Sequence, residues 1–199
     1  MKKRLTDYNQ DQFDLWVDNC YEILKNNGTI LFPTDTIWGI GCDATNELAL
    51  ERVFSLKNRP RDKPFVLLAK DTAMIDRYVE EIHPKIDQIL QYNKRPMTVV
   101  YPKAKNLPPL AIHSSGSIAF RIPYEPFCQA LLTKFNRPLV ATSANIASKP
   151  FPKNYGEISS KVLTNVDYIV PYRQVEKENG APSVMVSLSE KEELVFLRK

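Results

Sequence analysis

The sequence predicts an α/β fold, a single-domain, twisted mixed β-sheet flanked by helices that takes in residues 1–199. The first reason is alternation: short apolar runs rich in β-branched and aromatic residues take turns with longer segments of helical periodicity. The second is an exception to that alternation. Two apolar runs stand side by side at the C-terminal end, and an irregular stretch fills 102–116, so the sheet is expected to be mixed rather than purely parallel. No internal repeat, low-complexity linker or shift in composition marks a second domain.

The elements follow in order. Residues 10–26 place Phe13, Trp16, Val17, Cys20, Ile23 and Leu24 on one helical stripe, with Gly28 as a stop signal. Residues 29–32 read as a short buried strand ending at Pro33. A helix over 47–57 carries Leu50, Val53 and Phe54 on one face, and 65–69 is an apolar strand. Residues 71–92 are helical in two pieces, broken before Pro84, which suits a first helical position. Strands are expected at 97–101, 117–122 and 139–142, with a helix at 126–135. A helix at 155–163, a strand at 168–170 and a closing pair of strands at 183–188 and 194–198 complete the chain.

Composition narrows the chemistry. The 27 Lys+Arg against 23 Asp+Glu give a net charge of +4, modest for a nucleic-acid module. No run approaches the roughly 18 apolar residues of a membrane span, and the polar start does not read as a secretory signal. Cys20, Cys42 and Cys128 are far apart with no C-x-x-C pair, so we expect reduced, mostly buried thiols in a cytoplasmic protein. His83 and His113 stand thirty residues apart, and no Cys/His cluster points to a metal site. Only 6 glycines accompany 15 prolines. Neither a P-loop nor a G-x-G-x-x-G motif is present, so a bound nucleotide would have its phosphates held by side chains.

Four places carry candidate chemistry. The run Lys57-Asn58-Arg59-Pro60-Arg61-Asp62-Lys63 holds four cations and one carboxylate. Such a run after a helix is often a solvated cap. Pro60 and Pro64 stiffen this one, and its Arg and Lys groups suit phosphate oxygens. The stretch from Phe32 to Gly41 runs from a buried strand into Thr34, Asp35, Thr36 and Trp38, which can either close a local turn or hold a small polar substrate. The strand at 139–142 ends in Ser143 and Asn145, two apart and so on one side of an extended backbone. Arg121 ends another apolar strand and can grip a carboxylate bidentately. Ligands of open α/β sheets gather at strand ends, so one cleft with anion-binding groups at both ends is the economical reading.

With F-P-T-D-T-x-W-G-I-G, K-N-R-P, S-I-A-F-R-I-P and A-T-S-A-N in view, the sequence resembles the YrdC-like family of threonylcarbamoyl-AMP synthases over roughly residues 10–198. The joint K-x-R and S-x-N pair is the specific signal. The resemblance implies a nucleotidyltransferase that makes threonylcarbamoyl-AMP and pyrophosphate from L-threonine, bicarbonate and ATP, with Mg²⁺ accompanying the ATP. A separate transfer complex would pass the group to tRNA. By position, Lys57, Arg59, Ser143 and Asn145 form the catalytic set. Lys57, Arg59, Lys63, Ser117, Asn145 and Arg198 face ATP, and Thr36, Arg121, Ser143 and Ser183 face threonine, joined by Thr34 from the reading above. No protein metal ligands are implied. In-line displacement between two anions needs positioning and cations more than a protein nucleophile. The chain departs from the pattern at Ala147-Ser148, where Ser-Gly is usual, and at Val184, where Thr is usual. The alternative is a tRNA or double-stranded-RNA-binding module of the same fold, which would not need the Thr34, Thr36 and Arg121 set. A carbamoyl-adenylate domain of hydrogenase maturation would bring zinc-finger and acylphosphatase modules for which 199 residues leave no room.

Overall fold

Helix α1, Gln10–Lys25, begins where the Asn9 side chain accepts a hydrogen bond from the Asp11 amide. It buries Phe13, Val17, Cys20 and Leu24, the stripe expected of its 3.6-residue period. The structure is a computed structural model that describes residues 9–176 and 180–198. After α1 come β1, Ile30–Phe32; β2, Gly39–Gly41; and α2, Glu47–Lys57, capped by Asn46 at its start and by left-handed Asn58 at its end. Then follow β3, Val66–Leu68; α3, Thr72–Asp76; α4, Pro84–Tyr92; β4, Met97–Tyr101; β5, Ile118–Arg121; and α5, Pro126–Phe135. The chain closes with β6, Leu139–Ser143; α6, Ser160–Leu163; β7, Tyr168–Ile169; β8, Val184–Leu188; and β9, Leu194–Arg198.

The strands form one sheet in the order β7-β1-β2-β6-β3-β5-β4-β8-β9. Pairs β1/β7, β3/β5 and β4/β8 are parallel and the other five antiparallel, so the sheet is mixed, as the sequence predicts. Alternation along the strands sorts the core into two layers. Leu31, Ile40, Leu67, Val99, Phe120, Val140 and Val186 join Leu50, Val53 and Phe54 of α2 in one cluster. Ile30, Phe32, Leu68 and Leu139 join α1 and the α5 residues Phe127, Leu131 and Leu132 in the other. Val66, Val100, Ala119 and Ala141, in contrast, line a cleft.

Three local expectations are corrected. Residues 39–41, read as loop, are strand β2, whose three residues and two glycines carry no alternation to detect. Of the two helical pieces expected over 71–92, the second is α4, but the first stops at Asp76, because Glu80 N donates to Lys103 O and Lys105 N to Tyr78 O, and this pairing takes the backbone groups that a longer helix would use. The helix at 155–163 is instead a 3₁₀ turn, Tyr155–Glu157, an extended Ile158, and α6. Ser159 and Ser160 favour a helix start over a helix interior. Cys20, Cys42 and Cys128 are free and buried, and burial holds each thiol well above its ordinary pKa. No helix of the described residues is long and apolar enough to cross a membrane.

Candidate active site

The cleft has a volume of about 430 Å³ and is lined by Thr34, Thr36, Trp38, Gly39, Arg59, Ser117, Arg121, Ser143, Ser183 and Arg198, among others. Sheet register explains how residues so far apart in sequence meet there. One transverse row runs Arg121–Thr98–Met185–Arg198 across β5, β4, β8 and β9. Directly paired residues point to the same face, so this register sets two guanidinium groups along one wall. Arg198 donates from Nε to Ser183 O at 3.0 Å and from Nη2 to Ser183 Oγ at 3.2 Å. The Ser183 hydroxyl also pairs with Thr98 Oγ1 at 2.7 Å. Burial, then the nearby Arg121, lowers the pKa of Arg198.

At the other end stands Arg59. Left-handed Asn58 turns the chain out of α2, and Arg59 N closes the turn on Phe54 O at 3.0 Å. The Arg59 side chain donates from Nε to Lys63 O at 2.6 Å and from Nη2 to Pro64 O at 3.1 Å, with its guanidinium 5.1 Å from the Phe65 ring centre. The prolines therefore shape a loop whose carbonyls fix this arginine. Phe65 lies three residues before Leu68, which pairs with Arg121, so the two cationic ends are separated by roughly 10 Å along β3. Ser117 sits at the Arg59 end, where Ser115 Oγ donates to its hydroxyl at 3.0 Å.

The Thr34–Thr36 segment carries a proton-by-proton argument. Thr34 Oγ1 donates to Ile37 O at 2.8 Å and accepts from Thr36 N at 3.1 Å. Its only proton is thus used, so in the 2.9 Å contact between the two hydroxyls Thr36 is the donor. Thr34 is saturated, and the expectation that its hydroxyl serves a substrate is corrected: it braces the turn. Thr36 keeps one acceptor position after receiving Arg121 Nη1 at 2.7 Å.

Lys57 is also placed differently from the expectation of a phosphate ligand. It is 1% exposed and is not on the cleft wall. Its ammonium lies 2.5 Å from Ser143 O, 2.6 Å from Asn145 O and 3.1 Å from Asn145 Oδ1. Burial, with Arg59 beside it, pulls its pKa down to about 7. Asn145 likewise sits behind the wall: Oδ1 also accepts from Ser143 Oγ at 2.6 Å, and Nδ2 donates to Lys149 O. Lysine and asparagine together tie the turn that presents Ser143. Lys63 is exposed and off the wall. Lys149 N donates to Ile146 O at 3.1 Å, so a turn forms at the unusual Ala147-Ser148 step, with Ser148 at φ 65°, and Ala147 N ties it to Lys57 O at 2.8 Å.

Two polar or aromatic wall residues that sequence reasoning did not assign to the site are His113 and Phe151. His113 belongs to a tight loop whose Gly116 has φ 86°, and His113 Nδ1 accepts from Ser115 N at 3.2 Å. Phe151 is 43% exposed where it lines the cleft. An H-S-S-G-S run and a lone Phe beside Pro150 offer no periodic signal. The Trp38 indole N–H is buried without a partner among the described residues, beside the Tyr155 ring at 5.1 Å.

The Sua5/YciO/YrdC family model, described as "Telomere recombination", matches residues 22–199. Threonylcarbamoyl-AMP synthase of Pseudoalteromonas translucida is 31% identical over 150 residues, covering 74% of this chain and 80% of that one. Threonylcarbamoyl-AMP synthase of Stenotrophomonas maltophilia is 31% identical over 160 residues, covering 79% and 86%. Among solved structures, P. abyssi Sua5 complexed with L-threonine superimposes with a TM-score of 0.82 at 25% identity, over 92% of this chain and 53% of that chain. This chain thus spans about half the length of that Sua5. E. coli YciO matches in fold, with a TM-score of 0.80 at 22% identity over 94% and 89%.

Proposed function

The chain belongs to the Sua5/YciO/YrdC family, and from that premise we propose that it is a nucleotidyltransferase that forms L-threonylcarbamoyl-AMP and pyrophosphate from L-threonine, bicarbonate and ATP. The observation that carries the reading is the pair of fixed arginine ends, Arg59 and Arg121, on one cleft lined between them by small or apolar residues. Arg59 takes the triphosphate. Arg121 takes the threonine carboxylate, with Thr36 as acceptor for a substrate proton. Bicarbonate takes up a proton and loses water to give carbon dioxide, which the threonine nitrogen captures as a carbamate, losing a proton. A carbamate oxygen then attacks the α-phosphorus, and pyrophosphate leaves. Ser143, held by Lys57 and Asn145, faces the reacting centre, and Arg198 and Ser117 steady the nucleotide.

The chemistry asks for positioned cations rather than a covalent intermediate. Among the described residues no three His, Cys, Asp or Glu side chains gather as a metal cage. Mg²⁺ would accompany the triphosphate and neutralise phosphate charge. The product's activated carbonyl suits transfer to a tRNA adenosine by a separate complex. Support comes from the synthase names of the relatives and from the threonine complex of Sua5. The deciding assay is pyrophosphate release from ATP and Mg²⁺ with L-threonine and bicarbonate added separately and together. Release is expected only with both. A folded, ATP-binding sample that releases none would overturn the reading.

A further inference from the structure

Arg121 is 6% exposed, and a buried guanidinium needs a countercharge. The carboxylate that faces it is Asp35, 11% exposed, with Oδ1 3.4 Å from Arg121 Nη2. Asp35 is held from its other side, where Oδ2 accepts from Tyr124 N at 3.2 Å. The ion pair is incomplete, however: Asp35 Oδ1 and Arg121 Nε are both buried without a hydrogen-bond partner among the described residues. Nη1 is engaged by Thr36, while Arg121 itself lies on the cleft wall and Asp35 does not.

We propose that Asp35 is a resident counter-ion that positions Arg121 before substrate arrives and competes with the substrate's carboxylate for the same charge. The proposal rests on the reading of Arg121 as the carboxylate clamp. Asp35, behind the cleft face, holds the guanidinium in place. The loose 3.4 Å contact leaves Nη2 without a full hydrogen bond, so a carboxylate entering from the cleft can compete for that nitrogen. The two carboxylates repel, and substrate affinity is thereby tempered. Asp35 is a positioning residue and touches no reacting atom.

Two measurements test this. The first is a double-mutant cycle on unfolding stability with Asp35→Asn, Arg121→Met and the pair. Each single change strands one charged partner, so the pair is expected to be more stable than the sum of the singles predicts. Additivity would overturn the counter-ion role. The second compares L-threonine with L-threoninol, which lacks the carboxylate, by calorimetry on the full chain. In Asp35→Asn the preference for threonine over threoninol is expected to rise about tenfold, and in Asp35→Glu to return toward wild type. A purely structural Asp35 would weaken both ligands equally and leave the ratio unchanged, which would refute the proposal. Should Arg121→Met not fold, the ligand ratio alone decides. Wild-type protein that binds neither compound would count against the threonine reading, while the cycle would still judge the ion pair.

Discussion

Gly39 and Gly41 sit two apart on β2, on one face of the sheet, yet alanine should act on them in opposite ways. A Cβ on Gly41 would lie 2.6 Å from Phe32 Cε1 and 2.8 Å from Val140 O. Ordinary contact begins near 3.4 Å, so both neighbours would have to retreat by more than half an ångström. Neither is free to do so, because Phe32 is 0% exposed and Val140 O belongs to a central strand. Overpacking of this kind costs about 3 kcal/mol, and the lower entropy of an unfolded alanine returns about 1. Gly41→Ala should lose about 2 kcal/mol, a fall in Tm of roughly 4–8 °C for a chain of this size. A Cβ on Gly39 meets nothing closer than 3.5 Å, but Gly39 lines the cleft. Gly39→Ala should therefore stay within about 1 kcal/mol of wild type while weakening ligand binding roughly tenfold. Urea unfolding and ligand calorimetry on both variants read the two effects separately. A Gly41→Ala protein as stable as wild type, or a Gly39→Ala protein with unchanged affinity, would refute the packing argument.

Other outcomes follow from the same geometry. Arg59→Ala should abolish ATP-dependent pyrophosphate release with little change in Tm, and retained turnover would remove Arg59 from the phosphate end. Lys57→Met keeps the buried stem but frees the Ser143 turn, so turnover should collapse in a protein that still shows native circular dichroism. The folded Lys57 pKa of about 7 lies below its ordinary 10.5, so between these values the unfolded chain holds more protons. Stability from this group should then rise with pH across that window, and denaturant melts of Lys57→Met should lack the rise. Thr34→Val removes three hydrogen bonds from the turn that steadies Thr36, and should cost about 2–3 kcal/mol and raise KM for threonine more than KM for ATP.

The elements were largely legible because their apolar patterns are strong: the α1 stripe and the short apolar runs of β5 and β6 identify themselves. What failed was local and short. β2 has no alternation to read, and α6 starts late because serines favour caps. At the site, hydroxyls and arginines at strand ends were visible as residue types, but their tasks were not. Thr34 and Thr36 look equivalent in sequence, and only the direction of each hydrogen bond separates the brace from the residue with an acceptor position to spare.

The amino-acid order by itself determined most of the strands and helices and which side chains could meet an anion, since period and residue chemistry are local properties. Tertiary structure decided the rest. Arg198 reaches the wall of Arg121 through the register of four strands, and Lys57 leaves the surface expected of a helix-end lysine because Ser143 and Asn145 bring three oxygens to its ammonium. Both outcomes depend on partners more than eighty residues away or on strands paired across the sheet. Spacing along the chain cannot specify such partners, because the free energy that selects them is released only when the sheet assembles.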